Sequence, residues 1–186
     1  MEIFESLLNK RIEIYKIYKS GLGISYKTLR FTLPILFLIL FLIIIYSLKL
    51  SKENTLDLIK QMNSLIGIIL GFSIASFSIF VSINNEKLEK KSNNTIYTFR
   101  QIGSSLFFFN VERSLFIAVI GILLLYIELG SINEYFQLLI NGDDLLSLFS
   151  KDFFKLYFFC IYIFAFFQLL FNLFYSSIFL NSSIKK

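Results

Sequence analysis

"FTLPILFLILFLIIIYSL", residues 31–48, is an uncharged apolar run bracketed by Arg30 and Lys49. As a helix it is about 27 Å long, close to the roughly 30 Å hydrocarbon core of a bilayer. Pro34 falls in its first turn, where a missing N–H costs nothing. Three further apolar blocks follow, at about 64–83, 106–129 and 153–180, the second of these with Asn110, Glu112 and Arg113 in its first third and Glu128 at its outer end. The last is longer than a bilayer needs, so it tilts or projects beyond the hydrocarbon. The chain is 56% hydrophobic with a mean hydropathy of +0.71, whereas soluble domains are roughly 45–50% apolar. The expected fold is an all-α polytopic membrane protein, with one transmembrane domain over residues 1–186 and four spanning helices.

Thirty mixed, charged residues precede the first block, and no small-residue cleavage site follows a short apolar core. The first span is therefore expected to be retained rather than cut as a signal peptide. Orientation follows from lysine and arginine. Lys10, Arg11, Lys16, Lys19, Lys27 and Arg30 precede span one. Lys87, Lys90, Lys91, Arg100 and Arg113 lie between spans two and three or at the start of span three, and Lys185 and Lys186 end the chain. The third loop instead carries Glu134, Asp143, Asp144 and Asp152. Both termini are expected to be cytoplasmic. The net charge of +5 sits beside the lipid, so no direct nucleic-acid partner is expected.

Residues 2–19, "EIFESLLNKRIEIYKIYK", place Ile3, Phe4, Leu7, Leu8, Ile12 and Tyr15 at helical spacing. This amphipathic helix either lies on the inner leaflet or packs on the protein's own loops or a partner. The second loop, "NNEKLEKKSNNTIYTFRQIGSS", reads as a helical cytoplasmic hairpin that extends spans two and three, with Asn94 or Thr95 capping the returning helix. In the third loop, Asn141-Gly142-Asp143-Asp144 reads as a turn between two short interfacial helices.

Two polar stripes run inside the spans. Ser64, Gly67, Gly71, Ala75, Ser78 and Ser82 recur every three or four residues. Small residues at that spacing let helix backbones approach closely, so the stripe reads as a packing seam ahead of a pore lining. Its partner helix belongs either to the same chain or to another subunit. In span four, Gln168, Asn172 and Ser176 form a second stripe. Carboxamides in hydrocarbon must face protein or water, which leaves structural glue or a polar conduit. Glu112 and Arg113 form an interfacial pair of charges at the inner side of span three. Arg113 reaches headgroups by snorkelling, and Glu112 pairs with Arg100 or with a base of the N-terminal helix.

No catalytic constellation is legible. There is no histidine, and Cys160 is the single cysteine, so zinc sites and imidazole acid–base chemistry are not expected. No phosphate-binding glycine loop and no paired carboxylates occur, nor do inverted halves with broken helices. Neither an enzyme, a cofactor, a bound metal nor a secondary transporter is expected.

The basic amphipathic N-terminus, the four spans and "GIILGFSIASFSIFVSINNEKLEKK" running from span two into a charged hairpin resemble the small four-span membrane proteins of bacterial antiphage loci. The membrane subunit of the Kiwa system and the membrane effectors of abortive infection are of this kind. The resemblance implies a homo-oligomer in the inner membrane, in contact with lipid and with a soluble cytoplasmic partner. It would sense infection or perturb the membrane. The competing expectations are a small oligomeric ion channel, lined by one of the two stripes, and a membrane anchor or assembly factor.

Overall fold

The computed structural model describes residues 2–22, 25–49, 51–83, 86–92, 95–126 and 151–185. Asn141–Asp144 and the interfacial helices expected around them lie outside these residues, as do Glu128 and the end of the third expected span.

Helix α1 covers Glu2–Leu22. A single turn, α2 (Ser25–Lys27), runs through a π-helical turn at Thr28–Thr32 into α3 (Leu33–Leu48). The π turn lies just before Pro34. Proline has no N–H to give to the carbonyl four residues back, which is that of Arg30. The chain widens locally there, and Leu33 N–H reaches Thr28 O instead. Helix α3 ends at Lys49, whose φ of 50° is left-handed. Two residues later Ser51 starts α4 (Lys52–Ser82) by accepting the Asn54 N–H at 3.3 Å. Helix α4 therefore begins twelve residues before the span expected at Ser64. The polar stretch ahead of that span is helical too, because Thr55, Ile59 and Met62 present one buried face.

The connection to α6 (Phe99–Tyr126) corrects the expected helical hairpin. Among the described residues of the connection only α5 (Glu86–Glu89) is helical, and an antiparallel bridge joins Lys91 to Thr98. Thr95 turns its hydroxyl onto Tyr97 O at 3.1 Å, a local bond that competes with helix formation. The cap of α6 is Thr98 rather than Asn94 or Thr95. Its hydroxyl accepts Gln101 N–H at 3.2 Å, while Gln101 Oε1 accepts Thr98 N–H at 3.0 Å. This is the reciprocal T-x-x-Q capping box. Arg100 then donates to Val81 O and Ile83 O at 2.9 and 2.7 Å, closing the end of α4, and pairs with Glu89 at 2.6 Å.

The last helix, α7, runs over Lys151–Lys185. Among the described residues, four helices are long and apolar enough to cross a membrane. Helix α3 is the most apolar of them, and only 11% of its spanning window is buried, against 44% for α7. A helix on the rim meets lipid on most of its surface, so it needs apolar residues all round. Helices α6 and α7 form the centre, α4 packs along α6, and α3 packs along α7. One apolar core joins these four helices through Ile45, Ile59, Ile66, Ile117, Leu124, Phe159 and Leu169. A second cluster lies at the end of the bundle where α1 docks. There Tyr18 and Leu22 of α1 meet Ile102, Leu106 and Phe109 of α6 and Phe179 of α7. Helix α1 and the C-terminal part of α7 thus share one end of the bundle.

Candidate functional site

Helix α1 reaches the groove between α6 and α7 with its C-terminal half. Tyr18 is 1% exposed and Leu22 3%; burying a leucine of this kind contributes about 2 kcal/mol. The approach is close because Gly21 has no side chain, and a Cβ there would collide with Ile102. Tyr175 Oη donates to Gly21 O at 3.0 Å, satisfying one of the terminal carbonyls of α1. The N-terminal half of α1 stays outside: residues 5–13 are exposed, Leu7, Leu8 and Ile12 among them.

Under Tyr18 lies a directional chain of hydrogen bonds. Arg113 Nη2 donates to Tyr18 Oη at 3.2 Å, and Tyr18 Oη donates to Asn172 Oδ1 at 2.8 Å. Asn172 Nδ2 donates to Asn110 Oδ1. Asn110 Nδ2 donates to Ser176 Oγ at 3.3 Å, and Ser176 Oγ closes on Asn172 O at 2.7 Å. Asn110, Asn172 and Ser176 are all buried. Bonds running in one direction polarise each other, and the low dielectric strengthens each of them. The chain starts on a guanidinium and ends on a backbone carbonyl, tying α1, α6 and α7 together.

The stripe Gln168, Asn172 and Ser176 therefore faces protein. Gln168 Nε2 donates to Arg30 O at 2.6 Å, the carbonyl that Pro34 cannot serve. A freed carbonyl at membrane depth needs such a donor. The stripe Ser64, Gly67, Gly71, Ala75, Ser78 and Ser82 is exposed along its whole length. A Cβ on Gly67 or Gly71 would meet nothing within 4 Å. Ser64, Ser78 and Ser82 donate to carbonyls of their own helix at 3.0 Å. Among the described residues, no helix of the same chain covers this face. The close packing of α4 and α6 occurs elsewhere, where a Cβ on Gly103 would strike the Phe80 ring and one on Gly121 would strike the Asn63 amide. Asn63 also accepts from Tyr162 Oη at 2.9 Å, bringing α7 to the same point.

Glu112 and Arg113 line an open cavity of about 530 Å³ between α1, α6, α7 and the start of α3. Glu112 Oε1 takes Arg11 Nε at 2.7 Å; of the two partners expected for it, the base of the N-terminal helix is the one it meets. Arg30 enters from the π turn and donates to Tyr26 Oη at 2.8 Å and Tyr15 Oη at 3.3 Å. Its guanidinium lies 5.3 and 5.5 Å from the centres of the Tyr15 and Tyr26 rings, within cation–π range. Tyr15 and Tyr26 hydrogen-bond to each other. The Tyr26 phenol is pushed up to about 12, first by burial and then by the bond with Tyr15, with Arg30 offsetting part of the rise. Arg113 stands 5.6 Å from the centre of the Tyr18 ring. The walls are completed by Gln168 and by the apolar Ile12, Phe109 and Phe116.

Arg11, Tyr18, Arg30 and Asn110 were not singled out in the sequence as site residues. Asn110 and Asn172 carried a signal, since both are carboxamides within apolar runs. Tyr18 carried none that distinguishes it from Tyr15. No protein-family profile matches the chain, and no curated protein or solved structure matches it significantly.

Proposed function

We propose that this protein is a non-enzymatic, oligomeric subunit of a bacterial inner membrane that couples a soluble cytoplasmic partner to its own membrane bundle, in the manner of the antiphage membrane subunits it resembles. Both termini face the cytoplasm in this reading, as the distribution of lysine and arginine directs. The observation that carries it is the divided helix α1. Its inner half is fastened into the spans through Tyr18 and Leu22, and its outer half offers Leu7, Leu8 and Ile12. A protein that engages the outer half pulls directly on the Tyr18–Asn172 bond. Docked and released α1 are two discrete arrangements, as a switch requires. The uncovered small-residue face of α4 supports a subunit contact between copies, since such faces associate in lipid by close packing.

The test combines plating and co-purification. The intact locus should restrict phage, and the membrane protein should retain a soluble partner encoded beside it. Leu7→Asp with Leu8→Asp should abolish both. Unchanged plating on deletion, together with no retained partner, would refute the reading. Planar-bilayer recording separates the channel alternative, which requires an ion-selective current from the purified protein without partner or trigger. A membrane anchor would give no current and would keep its activity when Gln168 and the small-residue face are replaced by leucine.

A further inference from the structure

We propose that the cavity bounded by Arg11, Arg30, Arg113 and Glu112 is a binding site for the phosphodiester headgroup of an anionic phospholipid, with its acyl chains passing over Phe116 and Ile12. It rests on the membrane reading alone and not on the defence role.

The first support is charge. Three guanidiniums and one carboxylate line the cavity, a net charge of +2. Glu112 is spent on Arg11. Among the described residues, the Arg30 and Arg113 guanidiniums hydrogen-bond only to tyrosine hydroxyls, and neither forms an ion pair. Phenols orient a guanidinium without neutralising it. Both arginines are half-buried, where an uncompensated charge is costly.

Depth supplies the second support. Arg113 lies thirteen residues before Tyr126, the last described residue of α6, or about 20 Å. Arg30 directly precedes the run Phe31–Leu48, about 27 Å long. In a hydrocarbon layer about 30 Å thick, Arg30 sits about 3 Å and Arg113 no more than about 10 Å inside one boundary, a depth from which an arginine side chain snorkels toward the level of the lipid phosphates and first acyl carbons. Free phosphate has poor access at that level, whereas a lipid reaches it laterally.

Shape is the third support. The cavity is open, and the apolar residues on its rim, Phe116 at 58% and Ile12 at 44% exposure, give acyl chains a surface. Guanidinium forks match the paired oxygens of a phosphodiester better than an ammonium does. Arg30 is already held by Tyr15 and Tyr26, and Arg113 by Tyr18, so little rotamer freedom remains to be lost on binding. The occupant would also bridge α1 to α6 and α3, adding to the hold on the N-terminal helix.

Native mass spectrometry of the delipidated protein in detergent, titrated with phosphatidylglycerol or phosphatidylcholine, tests the assignment. We expect phosphatidylglycerol to bind at least tenfold more tightly. Arg30→Gln and Arg113→Gln should each weaken it about tenfold, the scale of one charge-assisted hydrogen bond, and Arg113→Lys should recover part of the loss. Glu112→Gln should tighten binding, because it frees Arg11 and raises the cavity charge to +3. A misfolded protein cannot produce that gain, and a purely structural Arg11–Glu112 pair predicts the opposite sign. Equal retention of both lipids, or unchanged binding in Arg30→Gln and Arg113→Gln, overturns the proposal. Competition by glycerol phosphate or inorganic phosphate at the same concentration as the lipid would assign the site to a free phosphate and overturn the lipid.

Discussion

The small-residue stripe of α4 and the carboxamide stripe of α7 look alike in sequence, yet they face opposite ways. Both repeat every three or four residues inside an apolar helix. The first is exposed throughout, and its serines bond to carbonyls of their own helix. The second is turned inward and bonds to three other segments: α1, α6 and the π turn. The difference lies in what each side chain can do alone. A serine hydroxyl reaches the carbonyl four residues back, so it is satisfied even in lipid. A carboxamide has two donors and two acceptor sites and cannot satisfy all of them on its own helix. It must find another segment, and so it fixes which way the helix faces.

The strongest challenge to this contrast is a glycine pair. Gly121 sits where α4 and α6 touch, and its absent Cβ leaves room for the Asn63 amide. Gly121→Leu should destabilise the bundle by about 3 kcal/mol, the upper range of overpacking. Unfolding in mixed micelles, followed by far-UV circular dichroism, would measure it. An effect below that of Gly71→Leu would mean that the close contact is not at Gly121.

Asn172→Leu comes next. It removes the acceptor of Tyr18 and the donor to Asn110 and leaves two buried groups unpaired. We expect a loss of about 2 kcal/mol, because membrane-embedded polar bonds average about 0.6 kcal/mol but orphaned buried partners add to the cost. Limited proteolysis in α1 should accelerate together with this loss. Acceleration without destabilisation would place the bond outside the fold's energetics and make it a latch alone. Tyr18→Phe cuts the chain at one point and keeps the ring against Phe109, whose centroid is 4.7 Å away. A loss of about 1 kcal/mol is expected, with α1 released before the spans unfold. Simultaneous loss of both would show that α1 is part of the same cooperative unit.

The four spans were legible because length and hydropathy decide them, and lipid permits little else. Their faces were much less so. Helix α3 is apolar all round, and nothing within Phe31–Leu48 tells which side meets α7. Pro34 pointed to a helix start, yet it also released the Arg30 carbonyl, and the rescue by Gln168 comes from 138 residues away. The α6 cap was present as Thr98 and Gln101, but the asparagine-rich stretch before it gave a competing turn signal. Tyr18 could not be distinguished from Tyr15 because both lie on the apolar face of α1. Only the tertiary approach at Gly21 buries one of them fully.

Gly67→Leu and Gly71→Leu complete the series with the smallest expected effect on the single chain. Open space surrounds both glycines, and leucine is the better helix former by roughly 0.8 kcal/mol, so the fold should be unchanged or slightly more stable. Their effect should appear between copies instead. If the α4 face joins subunits, two leucine side chains separate backbones that small residues allow to touch, and cross-linking through Ala75→Cys should fall at least severalfold. Strong cross-linking in the parent that survives the double substitution would place the subunit contact elsewhere. Lipid tolerates a bulky apolar side chain as well as a small one, so a smooth exposed face gains nothing from glycine unless another backbone lies against it. A fall in cross-linking at unchanged stability would therefore separate the two stripes by purpose: α7 holds the chain to itself, and α4 holds it to its neighbour.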